Sequence, residues 1–146
     1  MSLISVINGL VSAVLPTQKA TEEITSKELR VLLEIYSTPD ADIFLADSRF
    51  KLADIPSLSQ FLAWNQIDKK QYKKTIYDCD DFAETLKGDV RHWDSHLAFG
   101  TAWIHQKDGN HALNITVTKN RKLVFVEPQT DKMSEVSGRQ IYYVVF

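Results

Sequence analysis

Cys79 is the single cysteine of a 146-residue chain and stands in the run Tyr77-Asp78-Cys79-Asp80-Asp81-Phe82. A lone thiol makes no internal disulfide, so it is either a small buried hydrophobe or a reactive group. Further along lie Asn110-His111-Ala112 and Val126-Glu127-Pro128-Gln129. A thiol that attacks, an imidazole that accepts its proton and a carboxylate that fixes the imidazole tautomer make a nucleophilic triad. Cys79, His111 and Glu127 supply those three types in that order, and Gln129 adds a polar donor beside them.

The elements around these residues must position them. Cys79, Phe82, Ala83 and Leu86 recur at i, i+3, i+4 and i+7, one stripe of a helix over 79–86 that Gly88 is expected to stop. Cys79 falls in the first turn, where unpaired N–H groups and the helix dipole favour a thiolate. Residues 111–118 alternate as a strand, with His111, Leu113, Ile115 and Val117 on one face. Lys119-Asn120-Arg121 turns the chain into a second strand, where Leu123, Phe125 and Glu127 share a face. If that loop pairs Thr118 with Lys122, His111 and Glu127 become diagonal neighbours on one mostly apolar face. The Cys79 helix is expected to cover that face.

Asp78, Asp80 and Asp81 crowd three carboxylates around the thiol. Such crowding opposes a thiolate unless a cation offsets it, and Ca2+ takes several carboxylate oxygens in flexible geometry. The bland alternative is that Asp78 caps the helix while the other two favour its positive end.

Composition bounds the rest. With 44% hydrophobic and 25% charged residues, the chain reads as one ordinary globular domain over 1–146. A net charge of -2 gives no basic stripe for nucleic acid. The short patch Lys69, Lys70, Lys73 and Lys74 reads as a solvated helix face. Residues 1–20 read as an N-terminal helical arm, with Ile4, Ile7, Leu10, Val11, Val14 and Leu15 in a stripe. That arm has no positive start, so no secretory signal is recognised and a cytoplasmic location is the default. It is too short and interrupted to span a membrane. Helices are expected over 27–36, from Pro56 and over 79–86, with short extended pieces at 43–45 and 49–52 between the first two, followed by an antiparallel sheet from Leu97 to Phe146. That is an α+β order. Trp64 and Tyr72 read as core, with the walls of the cleft as the alternative.

From about Asp47 to about Met133 the chain also resembles a known family. Tyr77-Asp78-Cys79-Asp80-Asp81-Phe82-Ala83, Asn110-His111-Ala112-Leu113-Asn114 and Val126-Glu127-Pro128-Gln129-Thr130 look like the papain-like, calcium-dependent cysteine protease domain of a mushroom agglutinin. Bacterial transglutaminase-like cysteine proteases are similar through their Asp-Cys-(Asp/Glu)-Asp core. The resemblance implies a papain-like or transglutaminase-like fold with the Cys-bearing helix on the sheet, and a peptidase acting on a protein or peptide. It implies calcium most directly at Asp80 and Asp81. The chain lacks the agglutinin's lectin domain, so no sugar-binding role is carried over. Rivals are a papain-like peptidoglycan amidase, an inactive papain-like interaction domain, and a zinc site built on His92, His96 and His105 with Cys79 or His111. Trp93-Asp94-Ser95 fits no zinc motif, and strand-like sequence from Leu97 argues against a helix there.

Overall fold

The computed structural model describes residues 15–146, so most of the expected N-terminal stripe lies outside the described residues. Chain order is β1 (Glu23–Thr25), α1 (Ser26–Ile35), β2 (Ser37–Phe44), β3 (Arg49–Lys51), α2 (Ile55–Trp64), a 3-10 turn (Ile67–Lys69) and α3 (Cys79–Trp93). Five strands follow: β4 (Phe99–Gln106), β5 (Gly109–Val117), β6 (Leu123–Glu127), β7 (Lys132–Glu135) and β8 (Ile141–Val145).

Local chemistry sets the helix ends. Thr25 caps α1 through a reciprocal box: its Oγ1 accepts from the Glu28 N–H at 3.2 Å, and Glu28 Oε2 accepts from the Thr25 N–H at 2.8 Å. Asp54 caps α2 by accepting from the Ser57 N–H at 3.1 Å. α3 does not stop at Gly88. It runs on to Trp93, because Val90 is fully buried and Trp93 stacks on Phe61 with ring centroids 4.5 Å apart. Those contacts outweigh the roughly 1 kcal/mol that a helical glycine costs.

The expected α+β architecture, with N-terminal helices ahead of an antiparallel sheet, is corrected here. A strand precedes the first described helix and strands alternate with helices through the first half. The main sheet is mixed, with order β2-β8-β4-β5-β6-β7. Residues 37–44 form a full strand lying parallel to β8, with Ile43 beside Val144 and Phe44 beside Val145. The ladder is irregular between Ser37 and Asp42, where Pro39 has no N–H to give.

Both faces of this sheet are covered. One carries Ala102, Ile104, Leu113, Ile115, Phe125 and Val144, packed with Leu29 and Leu33 of α1. The other carries Phe99 and Val126, packed with Phe61 of α2 and with Phe82, Leu86 and Val90 of α3. Each buried Leu, Ile, Val or Phe side chain here contributes about 1.5–3 kcal/mol of transfer free energy.

Candidate functional site

β5 and β6 pair with Asn114 opposite Val126 and Val117 opposite Leu123, and the Thr118 N–H donates to the Lys122 carbonyl at 2.9 Å. The three-residue loop thus sets the register, and His111 and Glu127 fall on one face. His111 Nε2 lies 2.7 Å from Glu127 Oε2. The pair sits in a cleft of about 330 Å³ with Leu113 and Phe125 on its floor and Lys132 and Ser134 at its side. β6 ends at Glu127, so Gln129 lies in the following turn. It offers its backbone N–H to Glu127 Oε1 at 3.3 Å.

The Cys79 helix covers the opposite face. Asn114, whose side chain alternates away from Leu113 and Ile115, donates from Nδ2 to the Ala83 carbonyl of α3 at 2.8 Å. Lys87 of the same helix donates to the Val145 carbonyl at 3.2 Å. Among the described residues no hydrogen bond joins Cys79 to His111. The expectation that α3 lies over the His111–Glu127 face is therefore corrected. His111 and Glu127 are brought together, and the body of the Cys79 helix packs elsewhere.

The acids at the start of α3 divide their work. Asp81 Oδ2 accepts from the Asp78 N–H at 3.1 Å, and Asp78 Oδ2 accepts from the Thr75 N–H at 3.0 Å. The Asp78 and Asp80 carboxyls hydrogen-bond to each other, which pushes Asp80 up and holds Asp78 down. Asp78, Cys79 and Asp80 offer ligand atoms within 4.8 Å of one another. Two histidines of the zinc alternative have other partners: His96 Nε2 lies 3.2 Å from Glu23 Oε1, and His105 stacks on Tyr142.

A further cleft, of about 390 Å³, takes in His92 of the zinc alternative but none of the residues of the expected triad or acid cluster. Phe61, Trp64 and Trp93 form its aromatic wall, with Asn65, Gln66 and Asp89 among them. Asn65 Nδ2 donates to Asp89 Oδ2 at 2.8 Å, and the Trp93 indole N–H donates to the Pro16 carbonyl at 2.6 Å. Trp64 and Tyr72, expected first in the core, are 38% and 49% exposed, and Trp64 walls this cleft and not one beside Cys79. The signal was present: Trp64 and Trp93 end two helices, next to Asn65 and four residues after Asp89.

Comparison with known proteins adds the following. A family described as the C-terminal part of agglutinins matches residues 56–133. No curated protein matches the chain. A solved structure described as a PSL1a-E64 complex aligns with TM-score 0.78 and 23% identity, over 85% of this chain and 51% of that one. A second, the Polyporus squamosus lectin bound to the human-type influenza-binding epitope Neu5Aca2-6Galb1-4GlcNAc, aligns with TM-score 0.72 and 22% identity, over 85% and 49%. The chain thus spans about half the length of these proteins.

These findings name an agglutinin domain and a lectin, and they correct the functional expectations. The expected membership among papain-like or transglutaminase-like cysteine proteases is replaced by membership of an agglutinin family, and the papain-like fold label by the sheet-dominated architecture that aligns with both solved structures. The Cys-His-Glu hydrolase gives way with it, as do the peptidoglycan amidase and the inactive papain-like domain. No helix among the described residues is long and apolar enough to cross a membrane.

Proposed function

The chain belongs to the agglutinin C-terminal family, and on that premise we propose that it serves carbohydrate recognition, with a sugar ring seated in the Trp64–Trp93 cleft. One observation carries this reading: the cleft sets indole surface beside a coupled amide and carboxylate. A pyranose presents a face of C–H groups and a belt of hydroxyls. Aromatic rings match the first, while Asn, Gln and Asp supply donors and acceptors for the second. The Asn65–Asp89 hydrogen bond orients both groups before a ligand arrives. The sialylated epitope bound by the Polyporus squamosus lectin supports a glycan as the ligand class.

Calorimetric titration of the chain with that trisaccharide and its component sugars tests the reading. Binding is expected, and Asp89→Ala is expected to weaken it about tenfold or more. If no saccharide binds, the reading is wrong and sugar binding belongs to the half of those lectins that this chain does not span.

A specific observation favours a second role at the start of α3. Asp78 and Asp80 hold their carboxyls side by side, which raises Asp80 and lowers Asp78, and their ligand atoms lie within 4.8 Å of each other, close enough to meet on one divalent cation. Hard carboxylate oxygens suit Ca2+, and the soft Cys79 sulfur does not, so calcium would bind the two acids and leave the thiol aside. Asp81 serves as a cap and is the weaker ligand. Calcium is expected to raise the melting temperature of the chain relative to chelator, and Asp80→Asn is expected to abolish the shift. Equal melting in calcium and chelator would remove this role.

A further inference from the structure

Residues 69–77, Lys-Lys-Gln-Tyr-Lys-Lys-Thr-Ile-Tyr, are not the solvated helix face that their lysines suggested. They start from the last residue of the 3-10 turn and close into a short hairpin. The Lys73 N–H donates to the Tyr77 carbonyl at 2.9 Å and the Tyr77 N–H to the Lys73 carbonyl at 2.8 Å. Thr75 turns the tip at φ 60, a left-handed conformation that a β-branched residue rarely adopts. Its N–H is tied to Asp78. The result holds Ile76 outward, 75% exposed, with Tyr72 half exposed nearby.

The charge around the tip is cationic. Lys69, Lys70, Lys73 and Lys74 fall within six positions of a chain whose net charge is -2. Lys69 is paired with Asp68 at 3.0 Å, and Lys70 rests 4.5 Å from the centre of the Tyr77 ring. Lys70, Lys73, Ile76 and Tyr77 line a cleft of about 330 Å³. Asp78 and Asp80, at the root of the hairpin, are the opposing charge.

We propose that this hairpin docks on the surface of an anionic lipid bilayer, Ile76 entering the acyl boundary while Lys70, Lys73 and Lys74 meet the headgroups. A soluble polyanion would satisfy the lysines but would leave an exposed isoleucine at the tip in water. A bilayer satisfies both, because an interfacial anchor combines buried apolar area with attraction to anionic lipid. The cleft between Lys70 and Lys73 has room for a headgroup. Membrane docking of this kind is independent of the sugar cleft, which lies on other residues.

The experiment is co-sedimentation of the full chain with vesicles of phosphatidylcholine alone and of phosphatidylcholine with about one part in three phosphatidylserine. Binding to the anionic vesicles only is expected. Ile76→Ser, at an exposed position where folding is not at stake, should weaken it about tenfold. Lys73→Gln with Lys74→Gln should weaken it about thirtyfold, near fivefold for each charge. Absence of binding to anionic vesicles overturns the proposal. So does undiminished binding by Ile76→Ser, which together with unchanged capture on heparin would mark a polyanion surface instead. Vesicles without sugar keep this result separate from the fate of the carbohydrate reading.

Discussion

Asn114→Asp is the sharpest test of which sheet face carries the Asp78–Cys79–Asp80 helix. Asn114 is fully buried, and its Nδ2 donates both to the Ala83 carbonyl of α3 at 2.8 Å and to the Gly100 carbonyl of β4 at 3.1 Å. Aspartate has the same shape but, when ionised, can only accept. It would face two carbonyl oxygens with a negative charge, and a buried charge stripped of partners costs about 3–5 kcal/mol. When protonated, its hydroxyl still serves one of the two carbonyls, and the cost falls to about 1–2 kcal/mol. The variant carboxyl is therefore raised above its unfolded value, so the folded state binds more protons than the unfolded one. Stability must then fall as pH rises. The gap of about 2 kcal/mol, at 1.36 kcal/mol per pH unit, opens over about one and a half units above pH 4. Urea unfolding of wild type and variant at pH 4 and pH 7 reads it directly, with Asn114→Ala as the uncharged control. A stability difference that does not change with pH, or one below about 1 kcal/mol, would refute the docking of α3 through Asn114.

Two other perturbations follow from the same structure. Gly100→Ala places a Cβ 2.5 Å from the Val145 carbonyl oxygen and 2.9 Å from the Phe146 ring, where β4 and the C-terminus pack tightest. Thermal unfolding should show a loss of about 1–3 kcal/mol; a loss near zero would mean that the C-terminal strand gives way freely. Asp131, at the end of the β6–β7 turn with φ 60, is pushed up to about 6 by burial, with the nearby Asp68 carboxylate adding to the effect. A raised carboxyl favours the folded state at low pH and loses that advantage as pH climbs from about 4 through about 6. Asp131→Asn, which tolerates the left-handed backbone, should flatten that part of the melting-temperature profile while leaving the rest unchanged.

What the sequence reveals and what it hides differ in range. The β5–β6 register was legible because a three-residue loop admits one pairing, and that pairing puts His111 against Glu127. The parallel pairing of β2 with β8 was not, since it joins Phe44 to Val145 across some hundred residues that carry no local mark of it. The length of α3 was misjudged on Gly88, a helix-weakening residue held in place by the burial of Val90 and the stacking of Trp93. The aromatic cleft escaped because its lining comes from the ends of two separate helices.

The face assignment failed for a more instructive reason. His111, Leu113, Ile115 and Val117 look like the side of β5 that a helix must cover, with Ala112, Asn114 and Thr116 on the other. Every residue from Ala112 to Val117 is in fact buried, because α1 packs on the first set and α3 on the second. A two-sided sheet does not need alternating polarity; a buried polar side chain can be held on it by hydrogen bonds to backbone carbonyls. Asn114 finds Ala83 and Gly100, and Thr116 finds Ala98 at 2.6 Å. Those hydrogen bonds dock the acid-bearing helix, and they separate two features that one-face reasoning had merged. The Asp78–Asp80 cluster and the His111–Glu127 cleft then answer to different perturbations. Chelation should act on melting through Asp80 and leave His111 variants as responsive to calcium as wild type. A His111→Ala chain that no longer responds to calcium would rejoin the two sites and undo the face assignment.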